Sequence, residues 1–157
     1  MGGRGVNLGI SENRRFKRSG TGIQMSLGGQ SLNIWDIASK DLNKSRSPLR
    51  AFTSDGYRIR NSENQVSQIV LFNPKMVENG FQSRPRKVSF EWDNKSGKKD
   101  DCPPRTVHKH IWNGDDKRKE HHALTYAEYG ELKNKAGFPE FVQYKVEDGK
   151  GGFTYER

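Results

Sequence analysis

Apolar and polar positions alternate with a period of two through the centre of the chain. Tyr57 and Ile59 alternate with Arg58 and Arg60, and Val88, Phe90 and Trp92 alternate with Ser89, Glu91 and Asp93. Successive strand side chains point to opposite faces, so each pattern predicts a half-buried strand. VSQIVLF, between the turn-like SENQ and Pro74, is a short run rich in β-branched residues, and TVHKHIW after residue 105 continues the series. EFVQYKVE, GKGG and FTYER read as a closing hairpin. Two stretches carry the helical period instead. In SLNIWDIASKDLNKS, Ile34, Ile37, Ala38 and Leu42 recur at helical spacing, with Ser31 placed as N-cap, Pro48 as the stop and Trp35 beside the stripe. Further on, Thr125 and Glu128 have capping-box spacing, Leu124 and Tyr129 are placed for a hydrophobic staple, and Gly137 and Pro139 close the element. This predicts a second helix over residues 126–135. The sum is an α+β domain with a mainly antiparallel sheet and two helices.

Composition changes the picture at the N-terminus. Residues 1–30 hold eight of the seventeen glycines and carry Arg4, Arg14, Arg15, Lys17 and Arg18 against Glu12. They read as a flexible basic arm with a short strand expected in QMSLGG at 24–29, and residues 31–157 read as the folded domain. Apolar residues make up 31% of the chain, against a usual ~45–50% that also counts glycine, so the expected core is smaller than the length suggests.

The charge balance is 28 − 19 = +9. Such an excess favours anionic partners, first nucleic acid and then a nucleoprotein complex. Interleaved bases and aromatics nominate a binding face of Arg58, Arg60, Arg84, Arg86, Lys87 and Lys145 with Tyr57 and Tyr144, joined by Lys109 and the loop residues Lys117, Arg118 and Lys119. Cys102 is the single cysteine, which excludes an intrachain disulfide and points to a reducing compartment. Asp100 and Asp101 precede it and disfavour a thiolate nucleophile. No apolar run approaches the ~20 residues of a membrane span, and the N-terminus lacks the apolar stretch of a secretory signal. A cytoplasmic protein with no membrane partner is expected.

All four histidines, His108, His110, His121 and His122, fall between residues 106 and 125. On a strand, His108, His110 and Trp112 share one face, and Val107, Lys109 and Ile111 the other. Three readings follow. A structural or non-catalytic role ranks first. Metal-free acid–base cleavage of RNA ranks second: His108 and His110 act as base and acid, Glu91 stands in for one of them, and nearby cations hold the phosphate. A metal site ranks last, because it needs His121 or His122 and also Glu91 or Asp93 to join the pair. No metal and no cofactor is therefore expected.

The opening MGGRG resembles the start of small proteins encoded by phages and integrated elements of Gram-positive bacteria. HKHIWNGDDKRKEHHALTYAEY is similar to a His-x-His-x-Trp…Leu-Thr-x-x-Glu module near the C-termini of bacterial polymorphic toxins, matched here at His108, His110, Trp112, Leu124, Thr125 and Glu128. The longer DD-KRK loop departs from that module. The resemblance implies a phage-borne protein acting in the host bacterial cytoplasm. It implies an inhibitor of a host nucleic-acid-handling or defence complex, as anti-CRISPR proteins are, or else a metal-independent RNase-like toxin. The chain alone leaves open whether it is an enzyme.

Overall fold

The computed structural model describes residues 16–18, 22–39, 50–51, 55–74, 76–78, 81–94, 102–113, 116–117 and 120–157. The strands are β1 (Phe16–Arg18), β2 (Ile23–Leu27), β3 (Gln30–Ser39), β4 (Arg50–Ala51), β5 (Gly56–Arg60), β6 (Val66–Phe72), β7 (Met76–Glu78), β8 (Phe81–Glu91), β9 (Thr106–Asn113), β10 (Asp116–Lys117), β11 (Gln143–Glu147) and β12 (Phe153–Glu156). Helix α1 (Tyr126–Glu131) continues into a π-helical turn, Leu132–Ala136. The sheet runs β1-β3-β5-β6-β8-β9-β11-β12, with β2 beside β3, β4 and β7 beside β8, and β10 beside β9. β3 with β5 and β9 with β11 are parallel pairs. The second of these pairs is joined by the crossover that carries α1, as parallel strands require.

The α+β expectation with two helices is therefore corrected. Among the described residues there is one short helix, and the architecture is a mixed sheet. The stretch expected to begin the first helix is β3. Gly28 and Gly29 decide it, with φ of +63° and +77°. Two consecutive left-handed residues make the tight turn of a two-residue hairpin, for which Gly-Gly is a direct signal. The hairpin pairs Ile23 with Ile34 and Met25 with Leu32, and Met25, Leu27 and Ile34 are buried. Leu32 and Ile34 satisfy a period of two as readily as Ile34, Ile37 and Ala38 satisfy the helical one. A neighbouring strand breaks that tie. Residues 40–49 of the expected helix lie outside the described residues. β1, β2 and the hairpin turn fall within residues 1–30, read from composition as an arm, while residues 1–15 lie outside the description.

The helix over Tyr126–Glu131 has the expected capping box. Thr125 N donates to Glu128 Oε1 at 2.8 Å and Glu128 N donates to Thr125 Oγ1 at 3.1 Å. Gly137, at φ +80°, ends the π turn. Ser26 N donates to Glu131 Oε2 at 2.8 Å, tying the helix to β2. At the other end Arg58 pairs with Asp36 and donates to Ala136 O at 3.0 Å, a cation set against a helix C-terminus.

The sheet buries both faces. On one, Ile34, Ile69, Phe90 and Val107 pack with Leu124, Leu132, Ala136, Val142 and Val146. On the other, Tyr57, Ile59, Val70 and Phe72 cluster with Trp35 against them. Register extends this second face. Ile59 faces Gln68, Gln68 faces Glu91, and Glu91 faces His108, while Val70 faces Ser89 and Ser89 faces His110. The paired histidines thus lie on the face opposite α1.

Gly29→Ala should cost about 1–2 kcal/mol, because alanine pays for the left-handed conformation. A lowered urea midpoint checks this. An unchanged midpoint would contradict the hairpin.

Candidate metal centre

The antiparallel pairing of β8 and β9 sets Glu91 opposite His108 and Ser89 opposite His110. His108 and His110 are each 4% exposed. Their Nε2 atoms are 3.0 Å apart, and His110 Nε2 lies 2.9 Å from Glu91 Oε1. Gln68 Nε2 donates to Glu91 Oε2 at 3.1 Å and orients the carboxylate. On its outer edge, His108 Nδ1 lies 2.8 Å from Thr106 O and 3.1 Å from Cys102 Sγ. A carbonyl accepts only, so Nδ1 carries the proton and the inner Nε2 presents its lone pair. His110 Nε2 faces two acceptors, His108 Nε2 and Glu91 Oε1, and the proton it bears serves both.

The third imidazole arrives on a wedge. Lys109 and His122 exchange both backbone hydrogen bonds at 2.9 Å. Leu124 N donates to Lys145 O at 2.8 Å, and Glu147 N donates to Leu124 O at 2.9 Å. Residues 121–124 thus run between β9 and β11 where those strands part. Cross-strand partners share a face, so His122 takes the side of Lys109 and His121 takes the other. The His121 ring centroid lies 4.5 Å from that of His108 and 5.1 Å from that of His110. One nitrogen from each of His108, His110 and His121 lies within 4.8 Å of the others. Lys145 Nζ donates to His121 O at 2.9 Å and holds the segment down.

His108, His110 and Glu91 are therefore brought together as the sequence suggested, and His121 joins them. His122 does not. Asp93 lies exposed past the end of β8, where its carbonyl accepts from Arg105 N at 2.7 Å. Burial pushes His108 down to about 4, helped by His110 and His121 and opposed by the Thr106 carbonyl and Glu91. It is neutral at physiological pH. The donor set suits a divalent transition ion such as zinc, for which imidazole is a common ligand. An imidazole whose outer N–H is fixed by a carbonyl is the usual form of such a ligand. Sequence reasoning missed Thr106, Cys102 and Gln68. Gln68 did leave a signal, as the amide within an otherwise apolar strand core.

The nominated cations are scattered. Arg58 is tied to Asp36, Arg84 Nη1 to Asp55 Oδ1 at 2.9 Å, and Lys109 Nζ to Glu128 Oε1 at 3.0 Å. Arg60 Nη1 donates to Asn64 O at 3.0 Å. A register shift places Phe72 opposite Arg86 and Leu71 opposite Val88. Arg86 is buried with its guanidinium 3.4 Å from the Trp112 ring centroid, and Trp112 Nε1 donates to Ser89 Oγ at 3.1 Å. Lys87 is exposed. The Lys117 side chain, Arg118 and Lys119 lie outside the described residues.

In the unfolded chain His108 titrates near 6.5, and in the fold at about 4. Between these values the unfolded chain binds more protons, so stability falls as pH drops through the window, by ~3 kcal/mol at most. Thermal unfolding of the metal-free protein should therefore show a lower midpoint near pH ~4.5 than near pH ~7. His108→Asn should flatten that slope, and an equal slope in the variant would show that other groups cause it. No family model matches the chain, and comparison with characterised proteins and with solved structures finds no match, so the functional reading rests on this geometry.

Proposed function

We propose that this protein is a metal-dependent hydrolase of phosphodiester bonds. His108, His110 and His121 hold the ion, and Glu91 is the general base. The observation that carries the reading is the convergence of three imidazole nitrogens within 4.8 Å beside a carboxylate 2.9 Å from one of them. An ion held by His108, His110 and His121 would supply Lewis acidity and a water of lowered pKa. Glu91, oriented by Gln68, would take up that proton, and His110 would ligate through Nε2 after giving up the proton it shares with Glu91. The substrate class follows from the net charge of +9, which favours polyanions.

Metal-free cleavage of RNA is less well supported. An acid–base pair must present its nitrogens to the substrate, whereas His108 and His110 turn theirs toward each other at 3.0 Å and are almost wholly buried. His108, titrating at about 4, is also a poor proton carrier near neutrality. The reading as an inhibitor of a host nucleic-acid-handling complex rests on charge and on the phage-protein resemblance. Of the cations it draws on, Arg58, Arg84 and Lys109 are engaged in ion pairs.

Protein stripped by a chelator and dialysed against Co²⁺ or Zn²⁺ should retain about one ion per chain. The His110→Ala and His121→Ala variants should lose it. Glu91→Gln should keep the ion but slow hydrolysis of a single-stranded oligonucleotide by ~100-fold or more. Because this chemistry needs no 2′-hydroxyl, DNA should be cut as well as RNA. Absence of stoichiometric metal, or intact oligonucleotide with the metal restored, refutes the proposal.

A further inference from the structure

A groove of about 670 Å³ opens beside His121. Its lining includes Lys109, His121, His122, Lys145 and Phe153. That volume lies within the range of small-ligand sites. Among the lining side chains the cations are Lys109 and Lys145, and the carboxylate is Glu147. Lys145 is buried, with Nζ 4.1 Å from the Phe153 ring centroid. Phe153 is 41% exposed and Tyr155 38% exposed, and their rings stand edge to face at 5.4 Å. Gly149 and Gly151 contribute a wall without side chains, held by Asp148 Oδ1, which accepts from Lys150 N at 2.7 Å and Gly152 N at 3.0 Å. Bare backbone lets another chain approach closely.

We infer that this groove holds one nucleotide of a single-stranded nucleic acid, with its base stacked on Phe153 and its phosphate beside Lys145 and His122. Aromatic faces next to lysines are how such strands are held without sequence preference. His121 is common to the groove and the histidine cluster, so the groove and the proposed centre share that residue. The inference names the substrate of the hydrolase reading and rests on it in that respect. Binding and turnover nevertheless fail separately, because the groove residues other than His121 are not ligands.

The test is fluorescence anisotropy of a labelled octauridylate with the full chain in chelator, so that binding is read without hydrolysis. Phe153→Ala, an exposed position, should weaken binding about tenfold, and Phe153→Trp should restore it. Lys145→Gln should weaken binding and lower the slope of log affinity against log salt by about 0.7. Because Lys145 also anchors the backbone of His121, its variant is read alongside Phe153→Ala. Equal affinity of the wild-type chain and Phe153→Ala overturns the inference. So does equal affinity for an abasic phosphodiester of the same length. Displacement by polyglutamate at matched charge would instead assign the groove to an acidic protein segment. If octauridylate binds as expected but metal-loaded protein leaves it intact, the hydrolase reading falls and the groove assignment stands.

Discussion

The antiparallel register between β8 and β9 is the constraint from which the site follows. It sets Glu91 across from His108 and Ser89 across from His110. It also puts Phe90 across from Lys109, so the alternate residues of the same two strands serve different masters. Phe90 and Val107 enter the main core under α1. The residues between them build a polar cluster on the opposite face. A slip of one residue would exchange the two sets and destroy core and cluster together. The hydrophobic burial that fixes Phe90 and Val107 therefore also fixes the positions of the imidazoles.

That cluster is costly for a small fold. Three imidazoles, a carboxylate and an amide meet in little solvent, where each must find a partner or carry a desolvation penalty. Most partners are present within the cluster, in the contacts of His108 with Thr106 O and of Gln68 with Glu91. Gln68 Oε1 is buried without a hydrogen-bond partner among the described residues. Buried polar groups are often no better for stability than well-packed apolar ones. A concentration of them on a sheet that elsewhere uses valine, isoleucine and phenylalanine is therefore evidence for chemistry rather than for folding.

Much of this was legible in the chain, but unevenly. Period-two alternation located β5, β8 and β9 and put His108 and His110 on one face. The capping box at Thr125 and Glu128 located the helix. These signals are local, and each reads within a few residues. The first expected helix fails because Leu32 and Ile34 fit both periods, and the partner that settles them, β2, shows in sequence only as the weak strand signal of QMSLGG inside a glycine-rich basic stretch. The same Gly28-Gly29 pair that suggested disorder is the tight turn. Glu91 entered the site only if β8 and β9 paired, and His121 only if the wedge between β9 and β11 formed. Neither condition is contained in a short window. Arg58 and Lys109 look like a binding face in sequence, and the carboxylates they meet in the fold, Asp36 and Glu128, come from positions no short window contains.

The wedge carries one further implication, because its two histidines are adjacent. In the observed alignment His122 is paired with Lys109 and His121 turns toward the cluster. A one-residue slip of the wedge would turn His122 inward in its place, but it would also turn Leu124, fully buried in the main core, to the opposite face. The burial of Leu124 therefore chooses between the two imidazoles, and the doublet has a single alignment that satisfies the core.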